Sequence, residues 1–155
     1  MIVNTLDDAY KITGMKTVTC MPDGVYVEKA TPEQIEAERK IKWGQIEAIR
    51  EAKYTNGVKV GAYWFQTSLT ARMRYMGAAA LGAGFPGADW KTMSGDIARL
   101  TGTLAGQIMT AIATQDEKIF KAAQAHKDAM SAASDPSIYN YNVGWPETFG
   151  EYMET

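Results

Sequence analysis

The chain has little of what catalytic and metal-binding sites are usually built from. Among its 155 residues there is one cysteine, Cys20, and one histidine, His126. A single cysteine excludes an intrachain disulfide, and no Cys-x2-Cys or His-x3-His spacing exists to hold a metal. Neither a metal nor a cofactor is therefore expected. A histidine-based triad needs a nucleophile and an orienting carboxylate on the imidazole's face, but His126 has Ala122, Ala129 and Ala133 beside it and Asp128 nearly opposite. The acidic pairs Glu36/Glu38 and Asp116/Glu117 do not share a helix face and lie in no apolar setting that would raise a carboxyl pKa. No catalytic residue is assigned, and the expectation is a protein that is not an enzyme.

An excess of one charge is lacking too. Sixteen basic residues against eighteen acidic ones leave a formal charge of −2, with the basic residues scattered along predicted helices. Phosphate binding calls for clustered Lys and Arg on one face, so no nucleic-acid partner is expected. Long hydrophobic runs are also missing: the longest apolar window, Met76 to Phe85, is short and glycine-rich, which predicts no membrane span. Met1 to Leu6 leads directly into Asp7-Asp8, a pattern that predicts no signal peptide.

Proline is absent between Pro86 and Pro136, and that gap frames the stretch around which the chain is organised. From Asp89 to Ala133 the order is a Trp-Lys-Thr segment, a Ser94-Gly95 turn, a short apolar strand closing on Leu100, and one long helix capped by Thr101 or Thr103. At 1.5 Å per residue, roughly 30 residues make a rod of about 45 Å. That length exceeds one small globule. At 100° per residue, Leu104, Ile108, Ala111, Gln115, Ile119, Ala122 and His126 share one stripe, which needs a partner elsewhere in the chain or on another copy of it. These seven are the expected inter-subunit or helix-packing seam. Gln115 is either an amide that fixes register within that seam or a partly exposed residue.

The rest reads as follows. Residues 1–30 form an N-terminal arm with a small hairpin, its strands Met15 to Cys20 and Gly24 to Lys29 joined at Met21-Pro22-Asp23-Gly24. Thr31-Pro32-Glu33-Gln34 is a capping box that starts a helix at Pro32, and Asn56-Gly57 stops it. Val58 to Phe65 is β-prone with a Gly61-Ala62 hairpin turn. Thr67 or Ser68 caps a further helix in which Leu69, Met73, Met76 and Ala80 recur at core-packing spacing. Residues 136–155 form an aromatic arm, with Trp145 and Phe149 as anchors expected to lie in a groove of the chain's own core or of a partner. Trp90 is expected as a buried anchor. The fold class is mainly α with short β-hairpins (α+β), the long C-terminal helix packing in a helical bundle or coiled-coil-like oligomer.

Several of these pieces fall in a recognisable order between Ile41 and Asp135. They are the basic helix end Glu47 to Lys53, Gly57-Val58-Lys59-Val60, Phe65-Gln66-Thr67-Ser68, Gly77-Ala78-Ala79-Ala80, Trp90-Lys91-Thr92-Met93-Ser94-Gly95 and the alanine-rich helix Leu100 to Ala133. In that order they resemble an uncharacterised domain family of tailed-bacteriophage tail fibre and tail-fibre-assembly proteins. Ser68 departs from that family's pattern, which has an acid there. The resemblance runs from about Ile41 to Asp135, within the helical domain at residues 31–135, and leaves residues 1–40 and the aromatic arm outside it. It implies a structural or adaptor component of a phage tail, located in the virion and made in the bacterial host cytoplasm. The implied partners are copies of itself, as a trimer if fibre symmetry is followed, and other tail proteins. The alternative it implies is a tail-fibre assembly chaperone that is not retained in the virion.

Overall fold

A computed structural model of the protein describes residues 2–3, 15–21 and 24–150, those before residue 30 by backbone alone. The architecture is mainly helical with short antiparallel strand pairs, an α+β class. Two compact units are each assembled from two stretches: Met1–Glu47 with Ala125–Val143, and Ala48–Gln124 with Gly144–Thr155.

The first unit contains a three-stranded sheet of β1 (Ile2–Val3), β2 (Met15–Met21) and β3 (Gly24–Lys29) in the order β1-β3-β2. The predicted hairpin is present, with Val18 opposite Val27 and Cys20 opposite Val25. Strand β1 was not expected; it pairs with the other edge of β3, placing Ile2 opposite Tyr26. Residues 4–14 of the arm and Pro22-Asp23 of the expected turn lie outside the described residues.

Helix α1 (Pro32–Thr55) starts where its capping box dictates. The Thr31 amide donates to Gln34 Oε1 at 3.0 Å and the Gln34 amide to Thr31 Oγ1 at 3.3 Å, satisfying two donors that the first helical turn leaves open. It ends at Asn56-Gly57, where Gly57 takes φ +88°.

In the second unit, β4 (Val58–Val60) and β5 (Tyr63–Phe65) pair through the two-residue Gly61-Ala62 turn, with Gly61 at φ +60° and Val60 opposite Tyr63. Helix α2 (Leu69–Leu81) is capped by Ser68, whose hydroxyl accepts from the Ala71 amide at 3.4 Å. Thr67 serves elsewhere: its hydroxyl, buried, accepts from the Gly57 amide at 3.0 Å. A single 3-10 turn at Gly82–Gly84 leads to β6 (Ala88–Lys91) and β7 (Ile97–Leu100), paired antiparallel with Trp90 opposite Ala98. Their connection closes at Gly95, φ +96°, where the amide of Thr92 donates to the carbonyl of Asp96 at 2.8 Å. Helix α3 (Gly102–Ala132) spans 31 residues, capped by Thr101, whose hydroxyl accepts from the Leu104 amide at 3.1 Å. Its length is resolved by division: residues 102–124 belong to the second unit and 125–132 to the first.

The second unit's core joins Val58, Phe65, Ala71, Tyr75, Ala78, Ala98, Leu100, Ala105, Ile108 and Ile112. Tyr75 is its centre, edge-on to Phe65 with ring centroids 6.5 Å apart and tilted against Trp90 at 4.8 Å. Burial pushes its phenol well above the usual range, and its hydroxyl finds no hydrogen-bond partner among the described residues. Trp90 anchors the strand pair as expected but is half-buried, its indole N–H donating to Gln66 Oε1 at 2.8 Å.

Candidate interaction surface

Of the two partners open to the α3 stripe, the rest of the chain or another copy, the chain itself supplies cover. Ile108 and Ile119 are fully buried, His126 is buried, and Leu104, Ala111, Gln115 and Ala122 are half-buried. Leu104 and Ala111 pack against the second unit's core. At Leu104, Ile108 and Ala111 the strand pairs and α2 supply the apolar cover that the sequence pattern left unassigned.

Gln115 is engaged inside the second unit. Its side-chain amide donates to the carbonyl of Gly57 at 3.3 Å and to that of Glu147 at 3.1 Å, tying α3 to the C-terminal segment. That segment is docked on its own unit, one of the two arrangements expected of the aromatic arm. Lys53 Nζ donates to the Pro146 carbonyl at 3.0 Å, the Asn56 side-chain amide to Thr148 Oγ1 at 3.0 Å, and the Phe149 amide to the Asn56 carbonyl at 3.0 Å. Phe149 meets Trp64 edge-on at 6.1 Å, while Trp145 is half-buried. We expect Gln115→Leu to free the Glu147 carbonyl and raise amide exchange across residues 144–149 several-fold, with little change at residues 105–112. Hydrogen exchange read by mass spectrometry checks this; unchanged protection of the segment would show that the amide does not hold it.

In the first unit His126 plays the corresponding part. Its Nε2 lies 2.8 Å from the Val143 carbonyl, which can only accept, so the neutral ring carries its proton there and Nδ1 accepts from the Tyr139 hydroxyl at 3.0 Å. Lys42 stands 5.2 Å from the Tyr141 ring centre and Lys127 4.6 Å from that of Trp43, both within cation–π range.

Among the described residues no three His, Cys, Asp or Glu side chains are grouped to hold a metal ion, and no helix is long and apolar enough to cross a membrane. A cavity of about 670 Å³ lies in the second unit against the docked segment, lined by Lys59, Lys118, Lys121, Trp64, Gln115 and Glu147 among others. It is open, and at its edge Lys121 reaches Glu117 at 2.7 Å and lowers the pKa of that carboxyl by hydrogen bond and charge.

The surface that stands out is on α2. The residues at core-packing spacing, Leu69, Met73 and Met76, are 74%, 64% and 57% exposed, and Ala80 is exposed with them. The face turned inward is instead Ala71, Tyr75 and Ala78. The expectation is thus reversed on this helix, for a physical reason. One large aromatic flanked by alanines fits close against Phe65 and Trp90, where Leu69, Met73 and Met76, three bulky aliphatic side chains, would hold α2 away. Leu69, Met73 and Met76 are left in water, an apolar stripe along one face of α2. Periodicity found the stripe; only its direction was misread.

Residues 37–143 match one family model, described as a domain of unknown function (DUF4376). No curated protein and no solved structure matches the chain.

Proposed function

The chain belongs to the DUF4376 family, and on that premise we propose that it is a structural or adaptor component of a bacteriophage tail, a tail fibre or tail-fibre attachment protein, that works by holding other polypeptides. The observation that carries this reading is the stripe Leu69, Met73, Met76 on α2, which the chain builds on a well-packed helix and leaves uncovered. A face of that composition loses water favourably when another protein covers it, at about 25 cal/mol per Å² of apolar surface. Family membership adds no activity of its own. The tail assignment is supported by the ordered motifs of residues 41–135, with Trp90-Lys91-Thr92-Met93-Ser94-Gly95 the most distinctive of them.

In this reading the protein is a homo-oligomer of the virion, with other tail proteins as further partners and no catalytic step. A second reading, an assembly chaperone absent from the finished particle, draws on the same stripe, since a chaperone also needs an uncovered apolar face. Quantitative mass spectrometry of tailed particles purified from cells carrying the gene separates the two. Presence in fixed ratio to the other tail proteins is the expected result. Presence in the lysate but absence from the particles would transfer the protein to the chaperone class, and absence of any association with tail proteins would end both readings.

A further inference from the structure

We infer that the α2 stripe is the contact between two copies of this chain, with the two α2 helices packed antiparallel about a two-fold axis. This rests on the homo-oligomer reading above and gives it a face and a geometry.

The first observation is that the stripe lies opposite the inward face. With Leu69 at zero and about 100° per residue, Met73, Met76 and Ala80 fall within about 40° of it, whereas Ala71 and Ala78 point about 180° away. The buried face fixes α2 to its core, so the stripe is presented on a held helix and not on a loose one. Among the basic residues of α2, Arg72 is bonded to Asp116, and Arg74 points about 130° from the stripe axis. No charge therefore sits in the middle of the face.

The second observation is the order of sizes. The stripe reads Leu69, Met73, Met76, Ala80, with spacings of four, three and four residues. Reversed end for end the spacings are unchanged, so an antiparallel copy sets Leu69 against Ala80 and Met73 against Met76. Large then meets small at both ends, and the two pliant thioethers meet at the centre. Gly77, whose Cβ position meets no atom within 4 Å, leaves room beside that central pair. A parallel pair or a three-fold bundle would set Leu69 against Leu69 and Ala80 against Ala80, wide at one end and hollow at the other. The same stripe in two copies covers on the order of 1,000 Å², near the lower limit for a specific protein contact, which points to self-association in the micromolar range unless other tail contacts add to it.

The test uses the full chain. Sedimentation velocity over a concentration series should show reversible dimers, and Met73→Asp should weaken association by at least tenfold. Because Met73 is mostly exposed in the single chain, the circular dichroism and melting temperature of that variant should stay as they are. Orientation is read in a Cys20→Ser background: Leu69→Cys mixed with Ala80→Cys should form the mixed disulfide in preference to either self-linked product. Self-linked products alone would overturn the antiparallel arrangement. A Met73→Asp variant that associates as the parent does, or a parent that is monomeric throughout, would overturn the face itself. Neither result decides whether the protein is found in phage particles, so failure here and failure of the tail reading are distinguishable.

Discussion

Replacing Arg72 with methionine should lower stability by about 3 kcal/mol, or roughly 10 °C in melting temperature for a chain of this size. The guanidinium is held on all sides. Nη1 and Nη2 form a two-pronged pair with the Asp116 carboxylate, the second prong at 3.0 Å, while Nε donates to the Thr67 carbonyl at 2.8 Å and Nη2 to the Tyr54 carbonyl at 2.8 Å. One side chain of α2 thus joins the last turn of α1, the loop before α2 and the middle of α3. The side chains are 21% and 32% exposed, so water already screens part of the attraction. Most of the loss comes from what is stranded: a half-buried carboxylate and two carbonyls without their donor. Arg72→Met with Asp116→Leu should accordingly lose less than the sum of the two single changes, because the double variant strands no charge. Chemical denaturation of the four proteins in the cycle measures this. Additive losses would show that the pair contributes nothing beyond its separate contacts.

Two glycines of α3 should respond to alanine with opposite signs. A Cβ on Gly102 would stand 2.3 Å from the Gly82 carbonyl oxygen and 2.8 Å from its carbonyl carbon, so the first turn of α3 packs directly on the backbone turn that ends α2. Backbone cannot swing aside as a flexible side chain can, and the forced shift is expected to cost about 2–3 kcal/mol in Gly102→Ala. At Gly106, one turn further along, an added Cβ meets nothing within 4 Å. Gly106→Ala should therefore show only the intrinsic preference of a helix for alanine, a gain of roughly 0.5–1 kcal/mol. Thermal melts of both variants check the contrast. A neutral Gly102→Ala would mean that the two turns part easily, and a destabilised Gly106→Ala would mean that the helix interior there is not open.

Much of the local structure was legible. The capping box at Thr31, the Gly61-Ala62 turn and the Ser94-Gly95 connection each depend on residues a few positions apart, the long helix lies in the proline-free run from Pro86 to Pro136, and each element they predict is present. The interaction surface was legible only as a pattern. Leu69, Met73, Met76 and Ala80 declared themselves as an apolar stripe, and so did Leu104 to His126, but a periodic stripe does not say whether the rest of the chain will cover it. Gln115 shows the same limit, since its partners are backbone carbonyls at Gly57 and Glu147, groups that every residue carries and that no side-chain pattern marks.

The sequence by itself marked the helices and every strand but β1, because caps, turns and missing prolines act within a few residues. Only the tertiary structure decided which face of each helix turns inward. Tyr75 between two alanines outcompeted a more hydrophobic stripe on α2 because it fits the space left by Phe65 and Trp90. On α3 the strand pairs and α2 covered Ile108 and Ile112, buried with them in one core, before any second copy was needed. Burial is settled by shape among residues distant in the chain, whereas periodicity counts apolar residues without regard to their fit.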